Sequence, residues 1–420
     1  MPMENELIRN LPPMDTATLS NGVSFRWHHA DGGEEVCSLT VLFNGGAVET
    51  DVVSQQMLLS QLLEGTSRLS ADTIAERLDE TGAVFRPRAD AHFTGFTLLM
   101  LRRTVPQVMD LLGTVITDAA FPPDRLEIGK MAATAQLRAA NDDVTSIASQ
   151  RFMSLLAGRR HPLAHEIKEA EIEAVSSESL RRLFARMFTG TNCTAFLSGC
   201  LDGETVYHVR RALGALPEGR YTTDKIKIAT VPFCPELSGV KVYPHRHNAQ
   251  CAVAGGLTTI GRDHPDYIAL RFAVTALGGY FGSRLMQELR ERQGLTYSIA
   301  AYLCGGRDGS YVLIQANTSP EKRVRLIDGV RNEIKRLITE PPTGEELRSI
   351  QMYLVAGALQ SLDSPMAVAD FHITRHMVGI PENYFSEQLR QAMEMTPERV
   401  AQVAKKYLHP TALRIAVVGK

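Results

Sequence analysis

The apolar positions of this chain follow two periods. Leu295, Tyr297, Ile299, Ala301 and Leu303 alternate as in a strand with one buried face. After Ser319-Pro320-Glu321, a helix cap by composition, Val324, Ile327, Ile334, Leu337 and Ile338 recur at helical spacing. Met395-Thr396-Pro397-Glu398-Arg399-Val400 opens a further helix, with Thr396 as N-cap and Pro397 at the first helical position. The chain then closes on a strand, Leu413-Arg414-Ile415-Ala416-Val417-Val418-Gly419.

That last pattern occurs twice. Val175-Ser176-Ser177-Glu178-Ser179-Leu180 starts it in mid-chain, and Cys193-Thr194-Ala195-Phe196-Leu197-Ser198-Gly199 ends it. The two copies match without a gap: Leu180 with Val400, Leu183 with Val403, Met187 with Tyr407, Phe188 with Leu408. Phe121-Pro122-Pro123-Asp124 and Pro341-Pro342-Thr343-Gly344 each precede a long helix, and Asn21-Gly22-Val23 and Ser238-Gly239-Val240 each open a strand. The pattern predicts a duplicated unit of about half the chain, far longer than a solenoid repeat. Pro217, Gly219, Pro232 and Pro235 place the joint at 216–238, between an N-terminal half at 1–215 and a C-terminal half at 239–420. The expected fold class is α+β: two tandem homologous halves, each a mainly antiparallel sheet with helices covering one face.

Composition narrows the function without naming it. With 420 residues, 44% apolar and 22% charged, this is an ordinary globular composition. The formal net charge of −2 gives no electrostatic reason to expect nucleic acid or an anionic membrane. No apolar run reaches the roughly 20 residues of a membrane span. The acidic N-terminus is unlike a signal peptide, and six scattered cysteines without a Cys-x-x-Cys pair read as thiols of a reducing cytoplasm. A chain trimmed of its leader would read the same way, so the periplasm stays open.

The chemistry concentrates in Leu289-Arg290-Glu291-Arg292-Gln293-Gly294-Leu295-Thr296-Tyr297, which reads as a helix end, a glycine stop and a strand start. Arg290 offers a planar fork of permanent donors and Tyr297 a phenolic one, so the two could converge on a peptide carbonyl becoming an oxyanion. Gly278-Gly279-Tyr280-Phe281-Gly282-Ser283 lacks the lysine of a phosphate loop. Gly45-Gly46 and Gly255-Gly256 are expected at comparable strand ends, as tight turns or as the place where a substrate strand approaches. The histidine pairs His161/His165, His245/His247 and His372/His376 have no acid or thiol at a compelling spacing and are expected to be structural or solvent-facing.

The segment from Ala276 to Ser298 closely resembles the C-terminal half of pitrilysin/insulinase-type (inverzincin) zinc peptidases. Asn44 to Thr50 and Leu63-Glu64-Gly65-Thr66 resemble the frame around that family's inverted zinc motif, and His161-Pro162-Leu163-Ala164-His165 falls at its histidine–proline loop. The resemblance covers almost the whole chain and implies a mitochondrial-processing-peptidase-like fold. Active members hold zinc with His-x-x-Glu-His, the outer residues ligating and the glutamate acting as base. Counted back from Gly65-Thr66, those positions are Gln56, Leu59 and Ser60, and the third ligand falls near Gln136 or Leu137. A zinc peptidase needs about three protein ligands and an activated water. This chain alone is therefore expected to hold no zinc and to cleave nothing.

Arg290 and Tyr297 match the arginine and tyrosine with which family members bind peptide near the scissile bond. An empty zinc site with that pair retained resembles the branch in which two similar chains share the work. The resemblance implies a non-catalytic subunit that meets a homologous zinc-bearing partner around a short or unfolded peptide. The alternative is a catalytically silent peptide-binding or assembly subunit, conceivably a homodimer holding peptide on a sheet edge.

Overall fold

The computed structural model describes residues 8–30, 35–219, 231–245 and 250–419. The N-terminal half runs β1 (Asp15–Thr18), β2 (Ser24–His29), β3 (Val36–Asn44), α1 (Val52–Ser60), α2 (Ala71–Thr81), β4 (Val84–Ala89) and β5 (Phe93–Leu101). It continues with α3 (Val105–Asp118), α4 (Pro123–Asp142), α5 (Val144–Ala157), α6 (Glu169–Glu173), α7 (Ser177–Met187), β6 (Cys193–Gly199) and α8 (Gly203–Gly214). The C-terminal half has β7 (Gly239–Tyr243), β8 (Cys251–Thr259), α9 (Tyr267–Val274), two π-helical segments at Thr275–Gly279 and Met286–Arg292, β9 (Ser298–Gly305) and β10 (Ser310–Thr318). It ends with α10 (Arg323–Thr339), α11 (Gly344–Leu359), α12 (Pro365–Val378), α13 (Tyr384–Met393), α14 (Pro397–Tyr407) and β11 (Arg414–Val418).

The duplication is plain in the sheets. Their strand orders are β1-β2-β6-β3-β5-β4 and β7-β11-β8-β10-β9, so the last five strands of the first sheet correspond one for one with the second. Each sheet has a single parallel pair (β2 with β6, β7 with β11), beside four antiparallel pairs in the first sheet and three in the second. Helices α3 to α7 recur as α10 to α14. The repeated caps behave as their sequences demand: Ser176 accepts from Ser179 N at 3.1 Å, and Thr396 from Arg399 N at 3.2 Å.

One large apolar cluster fills the space between each sheet and its own helices. The other face of each sheet is met by a helix of the opposite half. Phe152, Leu155 and Leu156 of α5 pack on Ala252 and Ala254 of β8 and on Ala416 and Val418 of β11. Ile373 of α12 packs in turn against Leu42, Phe93 and Phe196 of the first sheet. This reciprocal exchange ties the halves together through buried apolar area, the dominant favourable term in such contacts.

The expected joint is only partly a spacer. Residues 220–230 of it lie outside the described residues, but Cys234 N donates to Ala157 O at 3.0 Å and Glu236 N to Leu155 O at 2.9 Å, so this stretch lies along the end of α5. No disulfide joins the cysteines. Among the described residues no helix is long and apolar enough to cross a membrane.

Candidate functional site

Arg290 lies in the π-helical turn Met286–Arg292, a wide geometry that recurs at functional sites. Gln293 N donates to Glu288 O at 3.0 Å and Leu295 N to Leu289 O at 2.8 Å, which unwinds the helix end. Gly294 takes φ +58, as a left-handed helix stop requires. Arg290 approaches Glu291 at 3.5 Å and lies 5.7 Å from the Phe281 ring centre.

Tyr297 departs from the expected alternation. Leu295, Ile299 and Ala301 are buried as predicted, but Tyr297 is 83% exposed and β9 begins one residue later. The cause is Thr296, which is itself buried. Its hydroxyl donates to Ser298 O at 2.7 Å and accepts from Ser298 N at 3.1 Å, closing a bend that turns the phenol outward. Arg290 and Tyr297 therefore stand at one helix–strand junction, and among the described residues no hydrogen bond joins them to each other.

The positions expected for the zinc motif lie on α1, and none of them carries a zinc-ligating residue type. Asp51 caps α1 by accepting from Ser54 N at 2.7 Å. Gln56 and Ser60, an i, i+4 pair on this helix, both face solvent, as two ligands would need. Leu59, at the base position, is buried, and Gln136 on α4 is exposed while Leu137 is half-buried against the core. No group of three or more His, Cys, Asp or Glu residues able to hold a metal occurs among the described residues.

An amide and a hydroxyl cannot replace two imidazoles. Restoring the histidines alone, with Gln56→His and Ser60→His, is expected to create an exposed chelating pair. Zinc at about 100 times its Kd should then stabilise the variant by about 2.7 kcal/mol and leave the wild type unmoved, as read by thermal melting. Adding Leu59→Glu should destabilise the fold, because it buries a carboxylate without a partner.

The four glycines have their close neighbours within this chain. Gly45 ends β3 at φ +102, and a Cβ on Gly46 would meet His92 N at 2.4 Å. Gly255 and Gly256 are not at a strand end: they sit mid-way along β8, paired with Ile314 and Leu313 on one side and with Ile415 and Arg414 on the other. A Cβ on Gly256 would lie 1.7 Å from Val312 O. The protein's own backbone occupies the approach at which a substrate strand was expected.

The partners of these histidines differ in kind, and His161 meets an acid far away in sequence. His165 Nε2 lies 2.9 Å from Glu171, and His372 Nε2 bonds Pro12 O at 2.8 Å. His247 lies outside the described residues. His161 belongs to a buried cluster in which His92 Nε2 stands 2.9 Å from Asp308 Oδ2, His161 Nε2 3.6 Å from the same oxygen, and His92 Nδ1 3.6 Å from Glu49. The sequence reading passed over Glu49, His92 and Asp308, which have no common spacing. The one local signal was Gly305-Gly306-Arg307-Asp308-Gly309, a glycine-rich hairpin carrying a single acid.

Known proteins place this architecture. A sequence profile described as "Peptidase M16 inactive domain" matches residues 174–354. The chain is similar to inactive-type members of the M16 peptidase family over that segment and shares their fold. A Mycobacterium tuberculosis protein described as an uncharacterized zinc protease is 25% identical over 83% of this chain and 79% of its own length. A Helicobacter pylori protein described as a non-peptidase homolog is 22% identical over 90% and 87%. Among solved structures, a peptidase M16 inactive domain from Pseudomonas fluorescens shares the fold at TM-score 0.85 and 24% identity, covering 97% of this chain and 98% of that one. A Helicobacter pylori protease does so at TM-score 0.86 and 17% identity, covering 98% and 100%. This chain carries Gln56, Leu59 and Ser60 at the positions where a zinc motif was expected, and presents Arg290 and Tyr297 in the C-terminal half.

Proposed function

We propose that this chain is the non-catalytic subunit of a two-chain zinc endopeptidase of the M16 family, contributing Arg290 and Tyr297 to the binding of short or unfolded peptides. The observation that carries the reading is a contrast. Two directed donors stand at the surface where edge strand β9 begins, while the exposed zinc positions on α1 hold residues that cannot ligate. An extended peptide lying along β9 would find unpaired main-chain groups there. The equivalent edge of the first sheet, β4, is blunted by Pro87 between Arg86 and Arg88. Arg290 and Tyr297 would polarise a peptide carbonyl, and the homologous partner would supply zinc and base. A cytoplasmic location belongs to the same proposal.

The test is reconstitution. Purified alone, the chain is expected to carry no stoichiometric zinc and to cleave no peptide. Mixed with a homologue bearing His-x-x-Glu-His, it should co-elute and yield peptidase activity absent from either chain alone. Cleavage by the isolated chain, or a partner whose activity ignores its presence, would end the proposal.

A second reading has its own support. Ile128 and Met131 on α4, and Met352 and Tyr353 on the equivalent helix α11, are all exposed. Such paired apolar faces suit an assembly subunit or a homodimer. That reading predicts peptide binding without any zinc-bearing chain.

A further inference from the structure

We propose that the β9–β10 hairpin is a proton-dependent latch: Asp308 at its tip is held by His92, His161 and Glu49 of the N-terminal half, and the protonation of His92 sets how firmly the two halves close. The proposal concerns this chain's own fold and holds whether or not a partner chain completes a peptidase.

The geometry is that of a clasp. All four side chains are nine-tenths buried or more. Asp308 comes from the C-terminal half; Glu49 follows β3, His92 lies in the β4–β5 turn, and His161 lies after α5. Asp308 Oδ1 also accepts from Val231 N at 2.8 Å, so the hairpin grips the chain between the halves as well. On the other side Glu49 Oε2 accepts from Gly46 N at 2.9 Å, and Gln55 Nε2 fastens the His92 turn by donating to Phe93 O at 2.9 Å. Neither ring nitrogen of His92 makes a well-aligned hydrogen bond. Its hold on the two carboxylates is therefore mainly charge on charge, and charge is what a proton controls.

The cluster is not arranged for a metal. His161 Nδ1 accepts from Leu163 N at 3.1 Å, which leaves the proton on Nε2, 3.1 Å from Val231 O. A metal would need that lone pair.

The groups around His92 come from every neighbouring element. Glu49, Asp90 and Asp308 are the acids, with Cys304 of β9 and Tyr311 of β10 beside the hairpin. Arg88 of β4 and Arg307 of the hairpin are the cations, with His161 and, against Phe93, His376 of α12. Both arginines are engaged elsewhere, Arg88 with Asp370 at 3.2 Å and Arg307 with His376 O at 2.9 Å. A cavity of about 440 Å³ reaches His92 and Asp308 and gives protons a route.

Burial alone would push His92 toward its neutral form, but Asp308 and Glu49 outweigh it and raise its pKa above the ordinary value. Asp308 is also penalised by burial, yet the adjacent His161 and His92 hold it below the carboxylate range. A group whose folded pKa is raised stabilises fully below its unfolded pKa, about 6.5 for histidine, and stops as pH rises through the raised value. Asp308 acts in the opposite sense and fails only in strong acid. The latch should therefore be firm below the unfolded histidine pKa, about 6.5, and loosen as pH rises through the raised value.

Hydrogen exchange of the full-length chain tests this, with each amide's rate corrected for its intrinsic pH dependence. Protection at residues 305–311 is expected to fall severalfold as pH rises from 6.5 to 9, while residues 315–318 of the same strand stay constant. His92→Gln should abolish the difference, and Asp308→Asn should give low protection at both pH values. Should either variant fail to fold, the wild-type profile decides alone. Hairpin protection that is flat across this range, or a His92→Gln profile equal to the wild type, would overturn the latch.

Discussion

Arg290→Ala is expected to lower kcat/KM of the reconstituted two-chain peptidase by about 10²–10³, and Tyr297→Phe by a similar factor, the usual cost of removing one preorganised donor to an oxyanion. The effect should appear with no loss of folded protein. Arg290 makes only a 3.5 Å approach to a neighbouring glutamate and a ring contact with Phe281, and Tyr297 is largely exposed. Substitutions at such positions change stability by about 0.5 kcal/mol or less. Arg290→Lys keeps the charge and loses the planar fork, so it should recover only part of the activity. Steady-state kinetics on complexes of verified stoichiometry, with melting curves alongside, separate the outcomes. Wild-type kcat/KM in both variants would remove these residues from the reaction.

Gly256→Ala is expected to cost on the order of 4–5 kcal/mol, the range of severe packing defects, and to leave little soluble protein. The added methyl would sit 1.7 Å from Val312 O on one side and 3.0 Å from Phe152 Cζ on the other. Relief would require prising β8 from β10 and lifting α5 from the sheet. Gly294→Ala is the useful contrast: nothing lies within 4 Å of its Cβ, and the penalty is the left-handed backbone alone, about 1–2 kcal/mol. Denaturant melts of the two variants should rank them in this order. A Gly256→Ala protein as stable as Gly294→Ala would show that the strand spacing around β8 is looser than described.

Much of the fold was legible because it is written locally. Ser176 and Thr396 cap helices α7 and α14 at the positions their sequences assign, and Gly294 stops the π-helical turn in the left-handed conformation. That Gln56, Leu59 and Ser60 are not zinc-ligating residue types was equally plain, since ligand chemistry is a matter of residue type. At other points the chain departs from the expected pattern. Ser319 was read as a cap, yet its hydroxyl turns to Glu321 and not to a helix N–H. Val324 sits at helical spacing with buried neighbours and is itself exposed. Tyr297 sits in phase with Leu295 and Ile299 but is thrown outward by the Thr296 bend.

The sequence by itself determined the duplication, the α+β class, the helix caps and the loss of zinc ligands, because each depends on residues close together or on what a side chain can do anywhere. Only the tertiary structure decided that α5 and α12 cross to cover each other's sheets. It alone put Gly255 and Gly256 in mid-strand and brought Glu49, His92, His161 and Asp308 together. The physical reason is range. Periodicity says which face of an element is buried, but not against what. The partners of a buried charge are chosen by packing between segments whose separation along the chain carries no signal.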